Sequence, residues 1–483
     1  MQQFSDAVLG VVQKINSYLT DYILIILLVG IGILFTVTTR FIQVRCFGEG
    51  FRRMFGNFSL KGGKHHGGIS SFQAVATAIA AQVGTGNIVG ACGAILIGGP
   101  GAIFWMWVIA FFGMATIYAE AVLAQKTRKV SEDGSVAGGP VYYITAAFKG
   151  KFGKFLAGFF SVAIILALGF FGTMVQSNSI GETFNTAFGC PSWIIGIILA
   201  IVSAFVFFGG LHRLASITEK IVPIMAGIYL LGGIIILAFR ITSIPATFGL
   251  IFKYAFMPQA IIGGTVGAAI KTAISQGAKR GLFSNEAGMG STPHAHALAK
   301  VDKPHDQGVV AMVGVFIDTF VVLTMTALLV ITTLYTDNGI LANGAAGVDI
   351  SKTNMAQYAI GVALGGSSAA TAIGNAFIAI CLLFFAFSTI LGWNLFGKLN
   401  FEYLFGKRAS VIYSAIAVGF VFLGSCLSND LVWELTDMFN YLMVLPNAIA
   451  LIALCRLVKQ SAKEGIAANK EAKRLRKEAA KNS

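Results

Sequence analysis

The chain has 483 residues, 56% of them hydrophobic and only 12% charged, with a formal net charge of +14. Soluble domains are about a quarter charged, so this chain has too little polar surface to cover a water-soluble fold. Its apolar residues fall in runs of about 20, the length that crosses a bilayer. That excludes a soluble protein with a rich core and predicts an all-α integral membrane protein.

Residues 1–20 carry one lysine and no basic stretch ahead of an apolar run. They read as a short amphipathic segment, not a cleavable signal. Eleven candidate spans follow, near 21–41, 71–97, 101–125, 155–178, 193–210, 217–239, 260–292, 308–335, 368–396, 409–427 and 434–455. Eleven spans put the termini on opposite sides. With the N-terminus outside, 27 of the 35 Lys and Arg residues lie on inside segments, including Arg45, Arg52, Arg53, Lys61 and Lys64 on the first loop. Four lie outside: Lys14, Arg240, Lys253 and Lys352. The positive-inside rule then predicts a cytoplasmic C-terminus. It also accounts for the basic charge without nucleic acid. The division expected is 1–20 as an extracytoplasmic segment, 21–455 as the membrane domain and 456–483 as a basic cytoplasmic tail, the last suited to anionic lipid. Between spans three and four, Gly138–Tyr143 (GGPVYY) predicts an interfacial helix. The six cysteines, Cys46, Cys92, Cys190, Cys381, Cys426 and Cys455, are scattered with no CxxC pair. No zinc or disulfide framework is indicated.

Two spans break the plain apolar pattern. Span two reads ATAIAAQVGTGNIVGACGAI, with Gln82, Thr85 and Asn87 among Gly84, Gly86 and Gly90. Unwound backbone at membrane depth is tolerated only inside protein or a water-filled cavity. A break there exposes N–H groups at the start of the outer half-helix, which suit a carboxylate. Carbonyls ending the inner half suit a cation. The competing reading is a small-residue packing face. Span seven reads GLFSNEAGMGSTPHAHA, with Ser284, Asn285 and Glu286 among Gly281, Gly288 and Gly290. An intramembrane acid is costly and functional by default. Glu286 is open to three roles: a cation ligand, a proton acceptor, or a structural partner of Lys279 or Arg280. The two breaks stand five spans apart. Interruptions at corresponding positions of two halves point to an inverted-repeat transporter. In span nine, FFAFSTILGWNLFG, Ser388 and Thr389 are adjacent hydroxyls that either ligate a hard cation or bond back to the preceding turn.

GTGN, GLFSNEAGMGS and FAFSTILGW resemble the alanine/glycine:cation symporter family over about residues 20–455. The resemblance implies eleven transmembrane helices with a LeuT-type five-plus-five inverted-repeat core in spans two to eleven. It also implies sodium-coupled import of a small neutral amino acid (alanine or glycine, with glutamine or serine open) by alternating access across a bacterial plasma membrane. On this likeness the Thr85 and Gly86 N–H groups would hold the substrate carboxylate. Gln82 and Asn87 would line the pocket, Phe283, Ser284 and Asn285 would face it, and Trp393 would close it. Sodium would take the Ala80, Val83 and Phe385 carbonyls with the Ser388 and Thr389 hydroxyls. On the same likeness Na⁺ would be the coupling ion, and no organic cofactor is implied. Proton coupling through Glu286 is the alternative. An enzyme is disfavoured: His294 and His296 are two apart, with no HExxH.

Overall fold

The computed structural model describes residues 2–56, 69–132, 136–257, 266–337 and, with interruptions at 338, 343, 346–347 and 428, on to 481. Lys61, Lys64 and the first residues assigned to span seven lie outside the described residues. Among those described, the protein is helical apart from a two-residue antiparallel pair, β1 (Lys129–Val130) with β2 (Val136–Ala137), and an isolated bridge between Ile69 and Ala299.

In chain order, helix α1 (Val8–Thr38) is the first long apolar helix. It continues the N-terminal helix Gln2–Tyr18 without a gap, through a wider helical turn at Leu19–Leu24. Helix α2 (Phe47–Gly56) is short and amphipathic. Next come α3 (Ser71–Gln82) and α4 (Gly86–Gly98), bent 46° apart at a short break. Ser70 and Gln73 start α3 with a reciprocal capping box, which satisfies N–H groups the helix leaves open. Helix α5 (Gly101–Thr127) is long. Helix α6 (Pro140–Ala147) follows, where the GGPVYY segment predicts one. Helices α7 (Gly150–Phe188), α8 (Ser192–Phe207) and α9 (Gly210–Ala238) continue the chain.

Helix α10 (Ile241–Phe256) is absent from the sequence expectation. Its 13 residues of regular helix are too few to cross a bilayer, so a span-length search passes over it. Then come α11 (Val266–Asn285) and α12 (Pro293–Leu298), separated by an irregular stretch. The remaining helices are α13 (Pro304–Leu334), α14 (Met355–Ala363), α15 (Ser368–Phe405), α16 (Lys407–Gly424), α17 (Asp430–Ala453) and α18 (Cys455–Lys481).

Eight of the described helices are long and apolar enough to cross a membrane, nine when α3 and α4 count as one bent span. Large apolar side chains such as Ile201, Phe205, Leu231 and Ile235 are exposed. That is the surface of a multi-pass membrane protein, where lipid replaces water at the outer face. Buried polar groups include Gln82, Thr85, Asn87, Ser284, Asn285 and Glu286 at the two breaks.

Candidate functional site

The first break lies between α3 and α4. Val83 adopts an extended backbone conformation and the helix resumes after Thr85. Asn87 Oδ1 accepts from Gly84 N at 3.0 Å, a side-chain bond that replaces a missing helical one. The Thr85 N–H donates to Gln176 Oε1 of α7 at 3.1 Å. Its hydroxyl is buried with no hydrogen-bond partner among the described residues. Gly86 faces the second break at van der Waals range: a Cβ there would lie 2.9 Å from Ser284 Cα and 3.2 Å from Phe283 Cδ1.

The second break follows α11. Glu286 has φ +57°, and Gly288 and Gly290 have φ +94° and +81°. Left-handed backbone cannot continue a helix of L-residues. A carboxylate from another helix holds this turn. Glu120 of α5 accepts from Gly288 N at 3.1 Å and Gly290 N at 2.9 Å. Asn447 of α17 donates to Glu120 at 2.6 Å and to the Gly288 carbonyl at 2.9 Å. Two of the loop's backbone donors are thereby satisfied by a side chain.

The expected substrate residues converge. Gln82 Nε2 donates to the Asn285 carbonyl at 2.7 Å, joining one break to the other. Phe283 packs edge-on against Trp393, with centroids 5.7 Å apart, and lies 4.8 Å from the Trp433 ring. Asn87, Ser284 and Thr319 all donate to the carboxylate of Asp318 on α13, at 2.7, 2.9 and 2.8 Å. Asn285 Nδ2 donates to Thr319 at 3.2 Å.

The five oxygens expected for a cation also meet. Thr389 Oγ1 lies 2.9 Å from the Ala80 carbonyl, 3.4 Å from that of Val83 and 3.0 Å from that of Phe385. Ser388 Oγ lies 3.4 Å from the Ala80 carbonyl and 2.9 Å from that of Phe385. All five residues are buried. The set is neutral oxygen throughout, from the end of one half-helix and one turn of α15. That donor chemistry fits a hard cation rather than a soft one. Both hydroxyls also bond back to the Phe385 carbonyl one turn earlier, at 2.9 and 3.0 Å.

Glu286 is not a partner of Lys279 or Arg280. Those cations pair with Asp437 of α17 at 3.0 and 3.1 Å. They sit on the face of α11 turned to α17, whereas Glu286 lies past the helix end. Its carboxylate accepts from Trp393 Nε1 at 2.5 Å and from the Ser291 hydroxyl. His294 and His296 are buried on α12, not exposed at a loop. His294 bonds the Ser291 carbonyl and Asn400, and His296 bonds Gln307.

Asp318, Gln176, Glu120 and Trp433 are missing from the sequence-derived set. The two acids carry a signal: each is a lone carboxylate inside an apolar run, FIDTFVV and IYAEAVL. Gln176 and Trp433 carry none, because nothing in their own segments marks them. Trp433 lies under the Arg280 guanidinium at 4.8 Å and the Lys352 ammonium at 5.0 Å. Lys352 also lines an open cavity of about 570 Å³ with Asp430, Glu182 and Asn185.

A model of the sodium:alanine symporter family matches residues 5–479. The sodium/alanine symporter AgcS of Methanococcus maripaludis is 40% identical over 475 residues, 98% of this chain and 99% of that protein. The amino-acid carrier protein AlsT of Bacillus subtilis is 37% identical over 442 residues, 91% of this chain and 88% of that one. Among solved structures, MhsT in complex with L-phenylalanine superposes with a TM-score of 0.55 at 14% identity, covering 83% of this chain and all of that one. At that identity the likeness is one of fold. The chain belongs to the sodium:alanine symporter family, a family of transporters and not of enzymes.

Proposed function

We propose that the protein imports a small neutral amino acid together with Na⁺ across the plasma membrane by alternating access. The observation that carries this reading is the gathering of the Ala80, Val83 and Phe385 carbonyls with the Ser388 and Thr389 hydroxyls, directly beside the α3–α4 break. The amino-acid carboxylate would lie at the Thr85 and Gly86 N–H groups, with Gln176 giving up its bond to Thr85. Gln82 and Asn87 would line the pocket, and Ser284 and Asn285 would face it. Phe283 and Trp393 would bound the side chain and keep it small.

The topology proposed with it has eleven spans. It counts α8 as a short span, α3 with α4 and α11 with α12 as one broken span each, and spans two to eleven as a LeuT-type pair of five-helix repeats. The N-terminal segment is then outside and the tail 456–483 cytoplasmic, against lipid. In this mechanism the cation raises amino-acid affinity and the amino acid raises cation affinity by the same factor.

Proton coupling is the second reading, because Glu286 puts a buried carboxylate at the second break, bonded to Trp393. Uptake of radiolabelled alanine, glycine and glutamine into proteoliposomes separates the two. Sodium coupling predicts accumulation of at least one of them driven by a Na⁺ gradient. Accumulation driven by a pH gradient in Na⁺-free buffer, and lost in Glu286→Gln, would establish the second reading. Failure to accumulate any of the three under either gradient would overturn both.

A further inference from the structure

At the end of the molecule that carries α18, a group of side chains plays no part in the site above. Cys46 precedes α2, Glu49 stands in its first turn, and His305 stands in the first turn of α13. One ligand atom from each lies within 4.8 Å of the other two. Glu49 Oε1 is 3.6 Å from His305 Nε2. A tetrahedral zinc ion with bonds of about 2.0–2.3 Å sets its ligand atoms roughly 3.3–3.8 Å apart. One edge already has that length, and the others need only side-chain closure of about 1 Å.

A second observation points to a ligand. His305 is 1% exposed, and its Nε2 has no hydrogen-bond partner among the described residues. The other ring nitrogen, Nδ1, lies 2.7 Å from the Tyr118 hydroxyl. With Nδ1–H donated to that oxygen, Nε2 turns its lone pair toward the carboxylate and the thiol. A partner on the far nitrogen that fixes the tautomer is how ligating histidines are oriented. Phe47 and Phe316 pack 4.8 Å apart across α2 and α13, so the helices that supply the three groups are held together. Arg53 is a competing cation, 2.9 Å from Glu49 and 3.0 Å from Asp306. It keeps Asp306 when Glu49 turns to a metal. Asn469 of α18 donates to Glu49 at 2.5 Å, which ties the tail helix to the same group.

We propose that Cys46, Glu49 and His305 bind a zinc-type dication, with water as fourth ligand, and that the bound ion clamps α2 to α13. Thiolate, imidazole and carboxylate together select Zn²⁺ or Co²⁺ over Mg²⁺ and Ca²⁺, which take oxygen shells. Cys46 releases its proton to solvent as the metal binds. Helix α13 carries Asp318 thirteen residues further on, about 20 Å along the axis. A clamp at its start therefore restrains the helix that reaches the substrate region. That last consequence rests on the transport reading; the binding itself does not.

The test uses the full-length protein in detergent with any affinity tag removed, titrated with Co²⁺ and then Zn²⁺. One Co²⁺ per chain is expected, with tetrahedral d–d bands and a thiolate-to-cobalt charge-transfer band that Zn²⁺ abolishes. Cys46→Ser removes the charge-transfer band, and His305→Gln weakens Zn²⁺ binding at least tenfold. Glu49→Gln, at a half-buried position, weakens it similarly and guards against misfolding of the other two. Spectra and affinities unchanged in these variants would overturn the site. In proteoliposomes, Zn²⁺ should slow wild-type uptake and spare Cys46→Ser. Zinc bound as described with uptake indifferent to it would overturn the clamp alone. Absence of uptake without zinc would count against the transport reading and leave the metal site standing.

Discussion

Gly86 shows how much can hang on one hydrogen. A Cβ at that position would come 2.9 Å from the backbone of Ser284, so Gly86→Val must push the two breaks apart. Uptake in proteoliposomes is expected to be abolished while membrane insertion and yield persist. Near-wild-type uptake would remove the carboxylate assignment. Ser388→Ala with Thr389→Ala takes two of the five oxygens from the proposed cation cradle. It should raise the Na⁺ concentration for half-maximal uptake at least tenfold with little change in amino-acid selectivity. An unchanged Na⁺ dependence would count against the cradle. Asp318→Ala strands donors on Asn87, Ser284 and Thr319. A buried polar group left unpaired costs about 1–3 kcal/mol, so uptake and thermal stability should fall together. The sequence marks Asn87, Ser284 and Thr389 through their motifs. Asp318 carries the same kind of signal in a span with no glycine break. Attention to broken helices alone passes over it.

The turn between α11 and α12 is legible as a place but not as a mechanism. Gly288 and Gly290 locate the interruption, because glycine readily takes the left-handed backbone that ends many helices. What holds the turn open is on other helices: Glu120 on α5 and Asn447 on α17. No local pattern reveals partners more than a hundred residues away. Gly290→Ala tests the backbone requirement. At φ +81°, with Phe160 Cε2 2.9 Å from the new methyl, it should cost at least about 1–2 kcal/mol. The readout is a lower midpoint of thermal unfolding in detergent. A midpoint equal to wild type would show that the turn tolerates another conformation. Helix α10 was illegible for a different reason: it is apolar like a span, but its 13 residues of regular helix fall short of the roughly 20 a crossing needs. The Cys46–Glu49–His305 group was invisible because its members come from two segments with no motif spacing.

Across the whole molecule, the charge distribution predicts termini on opposite faces. The basic tail is one helix, α18, and Asn469 on it reaches Glu49 at the end of the molecule where α2 lies. With Cys190 and Cys426 changed to serine, Lys470→Cys should resist a membrane-impermeant thiol reagent in intact cells and react after lysis. Labelling in intact cells would reverse the orientation. Tryptophans are also distributed unevenly. Trp105 and Trp107 are half-buried on α5 and Trp193 is exposed, whereas Trp393 and Trp433 are buried on either side of Phe283. Trp393 stands one helical turn from Thr389, and its indole N–H is bonded to Glu286 at 2.5 Å. This chromophore thus touches the second break and stands one turn from a hydroxyl beside the first. Its ultraviolet emission is expected to shift when either proposed ligand, amino acid or cation, binds, and Trp393→Phe to remove its share of that shift.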